Sequence, residues 1–301
     1  MHNTIHAALR KWCRSPLVWL SLLLSAACGL CAGYFGMAGM PDYSGRGEIP
    51  ASAAQYFESL PFHMAFAMQI LCTAAVTALT AGLECAEGTV RNYLTVGCRR
   101  SVFFLSQICA AVLYAAVSAA LMLGVFAAFA ARVLSILPDH GFLLLVLLFF
   151  LISVTAGAVT AAIAVNCTKQ VRALFLSVGL CFVLGVSGLI GYYTLREREP
   201  YQLYFSGGSS FSLHRTPGYV GGKKRSLLLC LQAMNPAGQY FYCAQYLETR
   251  TVYALAAGET ELLEAADAYR ADLDGSAACI IGFAALISLI GCTTFDRRNL
   301  T

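Results

Sequence analysis

The residues whose types and spacing could do chemistry are concentrated in one polar stretch, ECAEGTVRNYLTVGCRRS, at positions 84–101. It contains two acids, three arginines, two glycines and one asparagine, and strongly apolar sequence flanks it on both sides. Charged and amide groups of this kind form ion pairs and hydrogen bonds. The stretch therefore has the composition of a docking element rather than that of a catalytic centre.

The local pattern predicts a short helix inside this stretch. Glu87 and Arg91 are four residues apart, a spacing that allows an ion pair on a helix. Gly88 and the threonine after it could begin a helical turn, and Gly97 could end one. The alternative is a solvated connector whose last two arginines anchor the next apolar segment at lipid headgroups. Both interpretations remain open from the residues alone.

Other reactive-looking patterns do not indicate an active site. Thirteen cysteines occur, most of them inside apolar runs, and Cys28-x-x-Cys31 has no polar setting for metal or redox chemistry. The sequence GYVGGKK at 218–224 lacks the spacing of a phosphate-binding loop. We expect no catalytic residue, metal site or cofactor in this chain. A bridge between Cys230 and Cys243 is left open.

The composition indicates a membrane protein. Hydrophobic residues make up 58% of the 301 residues, charged residues only 12%, and the mean hydropathy is +0.67. Soluble domains carry about 25% charged residues, so most of this surface must face a bilayer. The net charge of +4 is spread over loops, which argues against a nucleic-acid partner.

Apolar blocks of the length needed to cross the hydrocarbon recur six times. We therefore predict an all-α integral membrane protein with six transmembrane helices and a large extracytoplasmic domain, at 194–275, between the fifth and sixth spans. The predicted spans are 16–36, 60–83, 102–130, 142–165, 173–193 and 276–295. The first five spans form one region of the chain, at 16–193. The sixth span and the basic tail form another, at 276–301.

The distribution of basic residues predicts that both termini are cytoplasmic. Short loops rich in lysine and arginine stay on the cytoplasmic side. Ten basic residues fall on the termini and on the second and fourth loops, and two, Arg46 and Arg132, fall on the short loops opposite. The stretch 84–101 is then a cytoplasmic loop.

The first 15 residues predict an interfacial helix, with a frayed basic tail as the alternative. Ile5, Leu9 and Trp12 recur at i, i+4 and i+7, and the basic residues lie elsewhere around the helix. Between the last two spans, 226–247 predicts two short helices broken at Asn235-Pro236, which rest on or dip into the outer face. A separate amphipathic helix is predicted around 262–273.

Within the spans, the sequence shows no ionisable residue near a span centre, which disfavours ion-driven carriers and intramembrane proteases. Gln69, Thr73, Thr77 and Thr80 form a polar stripe on the second span. Such a stripe lines a substrate path or subunit seam, or it joins neighbouring helices, and the second interpretation is favoured. Glycines 185, 188 and 191 on the fifth span predict close helix packing.

The motif Glu84-x-x-Glu87-Gly88-Thr89-Val90-Arg91-Asn92, followed by Val96-Gly97-Cys98-Arg99-Arg100-Ser101, resembles the signature between the second and third spans of type-2 ABC transporter permeases. The segment Asn235-Pro236-Ala237-Gly238-Gln239 is similar to a turn in the outside domain of bacterial members. The tail Phe295-Asp296-Arg297-Arg298-Asn299-Leu300 resembles their basic C-terminal tail.

The resemblance implies the membrane-spanning permease subunit of an ATP-driven ABC exporter, not itself an enzyme. It implies a separate ABC ATPase subunit that binds ATP and magnesium, a second permease subunit (identical or a sister chain) and surrounding membrane lipid as partners. The residues that it assigns to coupling with the ATPase are Glu84, Glu87, Gly88, Thr89, Arg91 and Asn92. Ile5, Leu9 and Trp12 correspond to an interfacial helix that supports them.

The resemblance also implies a multi-pass protein of the bacterial cell (cytoplasmic) membrane. A different class of function remains as the alternative, a membrane sensor or assembly protein whose 194–275 domain binds an extracytoplasmic ligand. The sequence does not distinguish peptide, lipid, polymer or drug as the substrate.

Overall fold

The computed structural model describes the backbone of residues 2–38, 60–134, 140–195, 201–206, 210–215, 219–241 and 259–297. Side chains are described within residues 4–35, 62–129, 146–195, 219–241 and 275–297. All statements below concern these parts of the chain.

Nine helices and one hairpin follow each other along the described chain. In order they are α1 (His2–Arg14), α2 (Pro16–Ala38), α3 (Leu60–Ala86), α4 (Thr89–Thr95), α5 (Arg100–Leu134), α6 (His140–Asn166), α7 (Gln170–Leu195), β1 (Tyr201–Ser206), β2 (Ser210–Arg215), α8 (Gly222–Met234) and α9 (Glu259–Arg297). A further helical turn covers 236–241.

Six of these helices, α2, α3, α5, α6, α7 and α9, are long and apolar enough to cross a membrane. They coincide with the six predicted spans, so this part of the prediction is confirmed. Each is uninterrupted because a helix satisfies its own backbone polar groups, which hydrocarbon cannot do. Many large apolar side chains on their outer surfaces are exposed, as expected when lipid is the solvent.

The spans form one bundle with α6 as its most buried member, packed against α3, α5, α7 and α9. α2 packs against α3 and α5, while α7 and α9 are the most exposed spans. One buried cluster surrounds α4 and the ends of the neighbouring spans, which we call the α4 end. A second, aromatic cluster around Phe62, Phe149 and Tyr240 marks the opposite end.

The segment between the fifth and sixth spans differs from the all-α prediction. β1 and β2 pair antiparallel, with Tyr201 opposite Arg215 and Phe205 opposite Phe211. Tyr, Leu and Phe alternate with more polar residues along β1, a period of two that is typical of a strand. The break at Asn235 is as predicted, since α8 ends before it and a helical turn follows it. Cys230 is an exposed free thiol, and Cys243 lies outside the described residues.

The amphipathic helix predicted around 262–273 and the sixth span are one helix. α9 runs without interruption from Glu259 to Arg297. The change from charged to apolar sequence near Gly275 predicts a boundary between two helices, and the structure has none there. The change of composition brings no change of backbone conformation, since an isolated glycine is tolerated within a helix.

Candidate functional site

α4 is a short helix set between two glycines with left-handed backbone. Gly88 precedes it at φ 71°, and Gly97 follows it at φ 90°. The amide of Gly97 donates to the carbonyl of Leu94 at 3.0 Å, and that of Cys98 donates to Tyr93 at 3.0 Å, so the helix end is closed by hydrogen bonds. The predicted start and end of this helix are confirmed. Left-handed backbone favours glycine because a Cβ atom would be crowded there.

One face of α4 is packed into the bundle. Val90 is buried, and the ring of Tyr93 lies 5.3 Å from the ring of Phe103 on α5. Burial raises the pKa of the Tyr93 phenol above its usual value, and the carboxyl of Glu84 adds to the rise. This face fixes α4 to the start of the third span.

The other face of α4 is exposed. Arg91 and Asn92 lie on it, and Val96 beyond its end is 88% exposed. Glu87 is also exposed, but within the described chain it forms no ion pair with Arg91, contrary to what the spacing suggested. The reason is geometric: Glu87 precedes the left-handed Gly88 and is therefore not part of the same helix. The exposed surface here thus consists of a guanidinium, an amide and an apolar valine.

Glu84 lies on the other side of this loop, buried at 1% exposure. Its Oε2 accepts a hydrogen bond from Nε2 of Gln107 at 2.8 Å, and its Oε1 lies 3.4 Å from Nζ of Lys11. Its backbone carbonyl accepts from the hydroxyl of Thr89 at 2.8 Å. Glu84 therefore joins α1, α3, α4 and α5, and the structure places it inside the loop rather than on the surface shared by Arg91 and Asn92.

The apolar face of α1 contacts the protein itself. Trp12 is buried, with its ring 5.7 Å from the ring of Tyr114 on α5, and Ala8 is buried beside it. Ile5 and Leu9 are partly buried on the same side. The predicted helix therefore exists, and it is held against α5.

The polar stripe on α3 lies inside the bundle. Gln69, Thr73 and Thr77 are each 1% exposed or less, and Thr80 is partly buried. Nε2 of Gln69 donates to the hydroxyls of Thr73 and Ser118, both at 3.1 Å.

The same network reaches the neighbouring helices. Ser153 on α6 donates to Oε1 of Gln69 at 3.2 Å, and the hydroxyls of Ser25 and Ser118 are 2.7 Å apart. It thus connects α2, α3, α5 and α6 of a single chain. A seam with a second subunit would need these side chains at the surface, and the structure puts Gln69, Thr73 and Thr77 in the interior instead.

The C-terminal end of α9 is fixed to the α4 end of the bundle, a feature that the sequence reading missed. Phe295 is fully buried, 6.0 Å from the ring of Phe103 and 5.9 Å from that of Phe104. Nη1 of Arg100 donates to the carbonyl of Asp296 at 3.0 Å. The signal in the sequence is an aromatic residue just before a basic tail; the resemblance identifies this stretch as a family motif and implies no packing role for it.

At the opposite end, α8 and the turn at 236–241 enter the bundle. Nδ2 of Asn235 donates to the carbonyl of Leu184 at 2.9 Å. Leu184 is about 16 Å along α7 from its C-terminal end at 1.5 Å per residue. The segment therefore packs alongside α7 below the end of that helix, rather than resting on the end of the bundle.

Three contacts hold this segment in place. Tyr240 stacks on Phe66 at 5.1 Å and contacts Nδ1 of His63 through its hydroxyl. At Gly188 on α7 the backbone of Ala237 and Gly238 approaches so closely that a Cβ atom would not fit. Close packing is predicted at this glycine, and the structure shows it. Gly185 has open space around it and makes no such contact.

Comparison with known proteins agrees with this architecture. The sequence model described as ABC-2 family transporter protein matches residues 4–188, which cover nearly all of α1, the first four spans, α4 and most of the fifth span. No curated protein gives a significant match. Members of the ABC-2 family are membrane components that normally work with an ABC ATPase. The chain belongs to the ABC-2 family of transporter proteins and is a multi-pass membrane permease of that family.

Proposed function

We propose that this chain is the permease subunit of an ATP-driven exporter, through which a separate ATPase subunit moves a substrate across the membrane. The observation that supports the proposal is the two-faced packing of α4. One face is buried against α5 through Val90 and Tyr93, and the other exposes Arg91 and Asn92.

Such an arrangement suits force transmission. A partner that binds the exposed face and moves would displace α5, because Tyr93 packs on Phe103 and Val90 is buried in the same cluster. Packed elements of this kind shift as rigid bodies rather than deforming. Glu84 would pass the same displacement to α1 through Lys11.

ATP and magnesium are assigned to the partner subunit in this proposal. The chain would form its pore with a second permease subunit, in the cytoplasmic membrane of a bacterium with both termini in the cytoplasm. The charge distribution supports this orientation, since ten basic residues lie on the termini and on the loops of the α4 side. The family match gives no support to the sensor alternative.

The test uses two substitutions in the α4 region and one matched control. Arg91→Glu reverses the exposed charge, and Gly88→Pro is incompatible with φ 71° because proline fixes φ near −65°. Both should abolish co-purification with the partner ATPase and export, while membrane insertion stays normal. Lys223→Glu, a charge reversal at the opposite end of the bundle, should have no effect on either. Normal ATPase binding and export in both α4 variants would contradict the proposal.

A further inference from the structure

α1 exposes a row of basic side chains on the side opposite its buried face. His6, Arg10 and Arg14 recur at i, i+4 and i+8, so they lie along one line of the helix. With Ala7 and Lys11 they line an open cleft of about 330 Å³. All five residues belong to α1, so the arrangement is a shallow, open groove along the surface of one helix.

The positive charge of this cleft is not neutralised by the described part of the chain. Lys11 is paired with Glu84 at 3.4 Å. Arg10 and Arg14 have no described carboxylate within 4.0 Å. Both are exposed. Two guanidinium groups one helical turn apart therefore remain available to an anion, and guanidinium binds phosphate through paired hydrogen bonds.

The cleft lies where the chain enters the membrane. Only Ser15 separates α1 from the spanning helix α2, and the indole nitrogen of Trp19 donates to the carbonyl of Cys13 at 2.7 Å. Directly beyond this link, α2 exposes Trp19, Leu20 and Leu23 at 59%, 65% and 69%. Apolar surface thus follows the basic groove within about two helical turns. A lipid has the same order, with an anionic headgroup that suits the groove and acyl chains that suit the apolar surface.

We propose that the α1 cleft binds the phosphate of an anionic phospholipid in the leaflet on the α4 side. Arg10 and Arg14 hold the headgroup. The acyl chains lie in the bilayer beside α2. This assignment goes beyond the transport function and does not depend on it, since it needs only the membrane-spanning α2 and the charge of α1. An acidic surface of a partner protein is the competing occupant, and the test below separates the two.

The experiment measures lipid retention by the full-length chain. Wild type and variants are reconstituted in mixed phosphatidylglycerol and phosphatidylcholine bilayers and extracted, and bound lipid is counted by native mass spectrometry. Arg10→Gln with Arg14→Gln should lower the apparent affinity for phosphatidylglycerol about 30-fold, since each basic residue near an anionic surface contributes about 1 kcal/mol. Arg10→Lys with Arg14→Lys keeps both charges but loses the paired hydrogen bonds of guanidinium, so it should lower the affinity less than the glutamine pair does.

The matched control removes two charges at the opposite end of the bundle. Lys223→Gln with Lys224→Gln should leave phosphatidylglycerol retention unchanged. Unchanged elution on gel filtration shows that each variant is folded, and thiol labelling of Cys13 from either side shows that its orientation is unchanged.

Three results would overturn the proposal. The first is equal retention of the two lipids by the wild type. The second is equal loss in both pairs of glutamine variants, which would mean a general charge effect. The third is normal lipid retention by Arg10→Gln with Arg14→Gln combined with loss of ATPase binding, which would assign the cleft to a protein partner.

Discussion

Nζ of Lys11 lies 3.4 Å from Oε1 of Glu84, and this ion pair joins the first helix of the chain to the end of its second span. The carboxylate is 1% exposed and the ammonium side chain 44% exposed. The pair therefore lies at the boundary between the bundle and water, next to the helix that we propose receives the force.

The two residues should show energetic coupling in a double-mutant cycle. Glu84→Ala leaves the amide of Gln107 without its acceptor, which costs about 1–3 kcal/mol. Lys11→Met should cost about 1 kcal/mol, because the partly exposed ammonium is screened by water. The double variant should lose about 1 kcal/mol less than the sum of the single losses. Thermal unfolding in detergent measures all three, and strict additivity would show that the pair contributes nothing.

Gly88 should tolerate alanine poorly although there is space for it. A Cβ atom at Gly88 meets nothing within 4 Å, but φ 71° costs an L-residue about 1 kcal/mol. Gly88→Ala should reduce partner-coupled export, and Gly88→Asn should reduce it less because asparagine adopts this conformation more readily. Gly124→Ala is the control: it also has open space, and it lies within α5, where alanine favours the helix. Equal export by Gly88→Ala and wild type would show that the turn is not under strain.

Gly188 should be sensitive to alanine in a different way. Its Cβ would lie 2.8 Å from the amide nitrogen of Gly238 and 2.9 Å from the carbonyl carbon of Ala237, both backbone atoms. Overpacking of this kind costs about 1–3 kcal/mol and should displace the segment around Asn235. The melting temperature of Gly188→Ala should fall, while Gly185→Ala, with open space, should melt like wild type. Similar melting temperatures in the two variants would contradict the close approach.

Gln69 should prove important for stability rather than for substrate choice. Its amide is hydrogen-bonded to Thr73, Ser118 and Ser153. Hydrogen bonds between membrane helices contribute about 0.6 kcal/mol each on average, so Gln69→Leu should cost about 1–2 kcal/mol. The variant should melt earlier yet export the same set of substrates. A changed substrate profile with unchanged melting would instead place Gln69 on the transport path.

Much of this architecture could be predicted because its causes are local. A run of about 20 apolar residues is sufficient to define a span. Gly88 and Gly97 mark the ends of α4 because only glycine readily adopts their backbone angles. The break at Asn235 follows from the proline after it, which disfavours helical geometry in the preceding residue.

The long-range contacts could not be predicted from one sequence. Lys11 and Glu84 are separated by more than two spans' length of chain, and neither residue type identifies its partner. Phe295 and Phe103 are likewise far apart in the sequence, and neither residue type identifies the other as its partner. The surface of α4 was predicted through resemblance, whereas the inward position of Glu84 depends on how α1 and α5 pack around it.

α9 is 39 residues long, or about 58 Å at 1.5 Å per residue, nearly twice the roughly 30 Å of hydrocarbon. Its last turn is fixed at the α4 end, where we propose that the ATPase subunit binds. There Phe295 and Asp296 contact the first residues of α5. Residues 259–274, which precede the apolar part of this helix, account for about 24 Å of that length. If α9 tilts by a few degrees about the contacts of Phe295, its N-terminal end therefore moves sideways by several ångströms. The helix would act as a lever.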